Sequence, residues 1–290
     1  MKQCCQSGPL RRRLTSPNDE RKRAVGHWGA AAAVLGCLTA IQVAGAASTP
    51  STPRLEEVLR RTGKAVEAFE QDFSAINCTE EVSQVKLGPG GKPLIHQESA
   101  FDYLVMIHAA PDDLTVEESR KEVKAPGEDK KKLPLLVTDG FSTLLLVFHP
   151  FFQDSFEYAP PEPDVLDGRK VLRVKFRQIH GARALSELQL RGHDFPLEWQ
   201  GTAWIDARSN VILRITAGLE GNMDDVGLRS LDADVHYAAV RFAGDPADHW
   251  LPDTAMVEAQ TPRQHWRNIH RFINYKRFTV DTKETLANAQ

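Results

Sequence analysis

The chain has 290 residues, 36 Lys+Arg against 39 Asp+Glu (net −3), and 41% hydrophobic residues. The first 46 residues hold seven Lys/Arg and two acids, leaving 29 basic against 37 acidic side chains, net −8, in the remainder. Such a balance excludes nucleic acid and anionic membrane surfaces as expected partners, since both reward clustered Lys and Arg.

Arg11, Arg12, Arg13, Arg21, Lys22 and Arg23 form a basic leader, followed by an apolar run from Trp28 to Val43 and by Ala44-Gly45-Ala46-Ala47. A positive n-region, an apolar h-region and an A-x-A-like end are the pattern of a secretory signal. Three outcomes stay open for it. Cleavage after Ala46 would release a soluble domain. Val34-Leu35-Gly36-Cys37 offers a lipobox, although the residues after Cys37 stay apolar. An uncleaved anchor over residues 28–47 would be long enough to cross a bilayer, with the leader on the cytoplasmic side. Each outcome places the folded part in the periplasm or cell envelope, with membrane association only through this N-terminal segment. Cys4, Cys5 and Cys37 all fall here, which leaves Cys78 alone and excludes both an internal disulfide and a C-x-x-C metal site.

Residues 48–53 read as a linker that also starts a helix, with Thr52 as N-cap and Pro53 at N1. Leu55, Val58, Leu59, Thr62, Val66, Phe69 and Phe73 then recur at three- and four-residue steps, opposite Glu56, Arg60, Lys64, Glu67 and Glu70. This predicts an amphipathic helix whose apolar stripe needs a surface to cover.

After Ile76 the period changes to two. Turn residues recur at Gly88–Gly91, Pro111–Asp113, Asp167-Gly168, Asp206–Asn210 and Gly244–Pro246. Leu172, Val174 and Phe176 alternate with Arg173, Lys175 and Arg177, and Val211, Leu213 and Ile215 repeat the pattern. The run Phe101–Ile107, over its second half, and the run Ile269–Val280 are apolar on both faces and should be covered on both sides. The expectation is eight to eleven antiparallel strands in a strongly curved sheet, a half-barrel of the α+β class, with the first helix against its concave face. Lys124–Lys132 reads as a solvated hairpin loop. Leu133–Phe156 contains a short helix, Gly140–His149, capped by Asp139 and stopped by Pro150. Being apolar nearly all round, that helix is either ordinary core or a lid over an apolar cavity.

Catalytic motifs are weak. Gly140–Leu144 lacks the second glycine of a nucleophile elbow, Gly91-Lys92-Pro93 lacks the Ser/Thr of a phosphate loop, and H-E-x-x-H is absent. His265 and His270 fall on opposite faces of a strand and read as loop or surface residues. His193-Asp194, before Phe195-Pro196 in an expected loop, has no visible nucleophile. Asp232, Asp234 and His236 share one strand face, more simply a wet face than a cation site. Cys78 reads as a structural thiol. No catalytic residue, metal or cofactor is assigned.

Residues 55–87 resemble the helix-to-first-strand unit of the LolA/LolB-like superfamily of bacterial lipoprotein carriers. Gly201–Asp206 with Asn210–Ile215 resembles the paired strands of outer-membrane lipoprotein-sorting proteins, and Asn268–Thr279 resembles the closing stretch of exported relatives. The resemblance covers most of 53–282. It implies a single domain over 54–282, a tail over 283–290, and acyl chains held in the hollow of the half-barrel. The functional arginine of these carriers is not assigned to any one position here. The expected function is non-enzymatic binding or carriage of a lipid, acyl chain or other hydrophobic ligand. The alternatives are an envelope module with a filled core that binds another envelope protein, and an unrecognised hydrolase. Phe101, Tyr103, Val105, Leu144, Phe148, Phe151, Trp204 and Leu213 are the expected cavity lining, chosen for bulk and inward facing.

Overall fold

The computed structural model describes residues 52–278 apart from 111, 125–137, 139, 191, 192 and 222. The leader, the linker up to Ser51, the loop from 125, Asp139 and the tail 283–290 lie outside the described residues. The chain divides into two units, Met1–Ser48 and Thr49–Gln290, and the second carries everything below.

Helix α1 spans Leu55–Phe73. Its N-cap is Arg54 rather than Thr52, so the helix starts two residues later than the expected Pro53 start. Arg54 is extended (φ −66°, ψ 146°), and its carbonyl already accepts from the amides of Glu57 and Val58 at 3.1 Å. Glu56 and Glu57 in the first turn offset the positive end of the helix dipole. Val58, Thr62, Val66, Phe69 and Phe73 are buried in one stripe, as the periodicity requires.

Thirteen strands follow among the described residues: β1 (Ile76–Leu87), β2 (Pro93–Ala110), β3 (Asp113–Lys124), β4 (Phe156–Tyr158), β5 (Glu162–Leu166), β6 (Arg169–Gln178), β7 (Glu187–Leu190), β8 (His193–Pro196), β9 (Trp199–Asp206), β10 (Ile212–Leu219), β11 (Ser230–Val240), β12 (His249–Gln260) and β13 (His265–Arg277). The expected eight to eleven is exceeded because short strands form where the sequence has no alternation. Residues 193–196, expected as loop, pair with β7 in a separate two-stranded ribbon. The other eleven strands make one antiparallel sheet in the order β3-β2-β1-β13-β12-β11-β10-β9-β6-β4, with β5 also on β6. The first and last strands pair, joining the meander β1–β3 to the meander β9–β13. The sheet is curved and unclosed, a half-barrel.

Each expected turn site lies between paired strands. At Asp167-Gly168 both residues have positive φ (49° and 77°), the mirror-image turn whose twist matches a two-residue hairpin. The two doubly apolar runs differ from expectation, since their outer faces are open: Met106 is 37% and Ile269 42% exposed. Apolar residues are routinely left on folded surfaces, so double-sided hydrophobicity alone does not demand a second covering layer.

Candidate functional site

The concave face carries two helical pieces. One is α1, packed on β1, β2 and β12; the other is an inner segment of a 3-10 helix, Phe141–Phe148, and a short helix α2, Pro150–Gln153. The expected helix at 140–149 is therefore real in position and different in kind. Gly140 enters it with φ +83°, a conformation glycine adopts without steric cost, and Thr143 breaks the regular dihedrals inside it. Pro150 stops the 3-10 helix by holding His149 extended, and then serves as the first residue of α2. The His149 Nδ1 accepts the Phe151 amide at 3.1 Å, and its Nε2 pairs with Glu70 Oε2 of α1 at 3.1 Å.

Seven consecutive residues, Ser142–Phe148, are buried against α1, β10, β11 and β12. Burial of each Leu or Phe here stabilises by about 1.5–3 kcal/mol. Runs of 3-10 helix beyond three or four residues are uncommon, and this stretch is two short pieces joined across the kink at Thr143. Side chains from outside add to its own backbone bonds. Tyr237 Oη donates to the Ser142 carbonyl at 3.2 Å and accepts the Leu145 amide at 3.3 Å. Tyr158 Oη donates to the Val147 carbonyl at 2.6 Å, and Gln153 Nε2 to that of Phe148 at 2.8 Å. Tyr103 Oη meets Ser142 Oγ at 2.7 Å. Burial pushes all three phenols well above their ordinary range, so they stay protonated donors.

A buried charged cluster holds the start of the segment. Glu80 of β1 is fully buried and accepts from Arg120 of β3 (Nε 2.5 Å, Nη2 3.0 Å) and from His270 Nδ1 of β13 (2.7 Å). Arg120 also pairs with Glu118 at 2.9 Å and lies 4.9 Å from the Tyr103 ring centroid. On the segment's side, Glu118 Oε1 accepts the Gly140 amide at 2.7 Å, and Thr138 Oγ1 bonds His270 Nε2 at 2.8 Å and accepts from Asn268 Nδ2 at 3.2 Å. Burial acts to raise the Glu80 carboxyl, but the bonds from His270 and Arg120 outweigh it and hold the group below its ordinary range. The same carboxylates raise Arg120 against its own burial.

Thr138, His270 and Glu80 connect in the order hydroxyl, imidazole, carboxylate, the order of a nucleophilic triad. All three are buried, Arg120 occupies the carboxylate, and Asn268 bonds the hydroxyl, so the geometry is that of a latch between the segment and the sheet.

Of the residues chosen from sequence, Tyr103, Val105, Leu144 and Phe148 meet in the buried core under α1. Phe101 shares their face, opposite Glu80, but is half-buried. Phe151 is half-buried at the rim with the Arg183 guanidinium 3.8 Å above its ring. Two require correction. Trp204 faces outward: its neighbours Ala203 and Ile205 take the inner face, and it lies under Arg214 at 4.9 Å with Nε1 on Asp164. Leu213 falls at the strand irregularity between Ile212 and Arg214 and is buried outside the central core cluster. A bulge shifts the phase, so Ile212 and Ile215 turn inward instead.

His270 is also corrected, being buried rather than a surface residue, whereas His265 lies on the opposite face with Glu258. Asp234 is taken by Arg214 at 2.6 Å; burial opposes its ionisation, but His236 and Arg214 hold it at about 2. Cys78 is buried, and that burial, with Glu80 nearby, pushes its thiol up to about 12. Glu80, Glu118, Arg120 and Asn268 escaped notice in the sequence. The available clue was phase: Glu80 shares the inward phase of Ile76, Cys78 and Val82, and Asn268 and His270 that of Trp266 and Phe272.

No protein-family model matches the sequence, and no curated protein matches it. Among solved structures, the chain is similar to a candidate outer membrane lipoprotein-sorting protein domain from Vibrio parahaemolyticus, with TM-score 0.45 and 9% identity over 79% of this chain and 95% of that one. It is also similar to a DUF1329 family protein from Desulfovibrio piger, with TM-score 0.39 and 10% identity over 76% and 92%.

Proposed function

We propose that this chain is an exported, non-enzymatic binding protein of the bacterial cell envelope. It takes up a lipid, acyl chain or other hydrophobic ligand in the hollow of the half-barrel, with residues 138–153 as the lid. The observation that carries this reading is the inner segment: an apolar stretch of 3-10 turns, Phe141–Phe148, kinked at Thr143, buried in an open sheet and tied down by discrete polar latches. These ties give the segment one defined closed position. Export is read from the basic leader and the apolar run after it, with cleavage, lipidation at Cys37 and retention through residues 28–47 as its three forms. One further observation favours a second reading. Leu144, Leu146 and Phe148 already fill the hollow, as they would in an envelope module whose task is to bind another protein.

The test uses the full chain expressed in a Gram-negative host. Fractionation and N-terminal sequencing locate it and its processed end. Organic extraction with mass spectrometry, together with titration of a fluorescent acyl probe, reports the hollow. Envelope localisation with a bound or titratable hydrophobic ligand is expected. A cytoplasmic chain, or an envelope chain that carries no hydrophobic ligand and takes neither the acyl probe nor an apolar peptide, overturns the proposal.

A further inference from the structure

The present occupant of the hollow is a peptide, and the sheet meets it as one. Tyr237 accepts an amide and donates to a carbonyl two peptide groups apart, and Tyr158 donates to another carbonyl at Val147. Glu118 accepts the Gly140 amide at the entrance. Between these polar contacts, Leu144, Leu146 and Phe148 fill the apolar space. A saturated acyl chain in the same place would satisfy the apolar space alone. The buried Tyr237 hydroxyl would lose both its partners and the half-buried Tyr158 hydroxyl the Val147 carbonyl, and a buried polar group left unpaired counts against the occupant that strands it. An apolar peptide strands neither hydroxyl.

Building on the carrier reading above, we infer that the ligand class of the hollow is an apolar peptide segment, aliphatic and aromatic in side chain, presented by another protein in place of residues 140–148. The chain's own segment is then an internal competitor that keeps the site closed until a better-matched peptide arrives. Selectivity lies in the backbone: a partner must offer an amide to Tyr237 and carbonyls to Tyr237 and Tyr158, and bulky apolar side chains alone do not suffice.

The probes are a fluorescent peptide with the sequence of residues 140–148, the same peptide N-methylated at the amide equivalent to Leu145, and a fluorescent acyl probe. Each is titrated by anisotropy against the full wild-type chain. Each is also titrated against Leu146→Ala, whose own segment has given up an anchor. The peptide is expected to bind more tightly than the acyl probe, to bind Leu146→Ala more tightly than wild type, and to lose about tenfold on N-methylation, the size of one well-made hydrogen bond. An acyl probe that outbinds the peptide, or a methylated peptide that binds as well as the parent, overturns the peptide assignment and leaves the carrier reading standing. Failure of all three probes overturns both.

Discussion

Replacing Glu80 tests the latch most directly. Glu80 is fully buried, and it neutralises Arg120 and holds the His270 ring in place. Glu80→Leu leaves the guanidinium with Glu118 and the more distant Thr138 carbonyl, and strips Nδ1 of its acceptor. Breaking a buried ion pair by removing one partner costs about 3–5 kcal/mol; because Glu118 remains at 2.9 Å, the lower end, about 3 kcal/mol, is expected. Glu80→Gln keeps the shape and a carbonyl acceptor, and should cost about half as much, since hydrogen bonds to ionised groups are roughly twice as strong as neutral ones. The assay is urea unfolding with the m-value checked for two-state behaviour. Its pH dependence has a defined sign. The folded-state pKa of Glu80 is depressed, so its contribution is complete above the unfolded value near 4.3 and is lost as pH falls through the lower folded value. The gap between wild type and Glu80→Gln should therefore close on acidification. A Glu80→Leu cost under about 1 kcal/mol, or a gap that widens as pH falls, would refute the latch assigned to this cluster.

His249 gives the opposite sign. Its two ring nitrogens face carboxylates, Asp72 of α1 at 2.7 Å and Asp245 at 2.9 Å. Burial lowers its pKa, but these bonds outweigh burial and raise it. Its stabilisation should be complete below the unfolded pKa of about 6.5 and fade as pH rises through the folded value, so His249→Gln should approach wild type in alkaline unfolding curves. Thr62→Val should raise stability by up to about 1 kcal/mol in the urea assay, because its buried hydroxyl has no partner among the described residues. Trp204→Ala should leave acyl-probe affinity unchanged in the same titration that reports the hollow; a weakened affinity would return Trp204 to the lining.

The helix, the turns and the antiparallel character were legible because each is a local property. Val58 to Phe73 repeats at the helical period, and Asp167-Gly168 carries the residue types its positive φ values demand. That Tyr103, Val105, Leu144 and Phe148 point inward followed from bulk and alternation. Trp204 did not, because bulk was weighed over phase: Ala203 and Ile205 own the inner face, and a large aromatic between them must point out. Leu213 failed for a different reason, since a bulge changes parity without a signature in composition.

By itself, the sequence determined an acidic, disulfide-free α+β domain with one amphipathic helix and a two-residue period, since these depend on neighbours along the chain. Only the tertiary structure decided what the inward polar positions do. Glu80 and His270 are 190 residues apart in sequence, and no local pattern announces their bond. A carboxylate on the inner face is unfavourable until a distant arginine and histidine reach it. Pairing of the first and last strands brings those partners together.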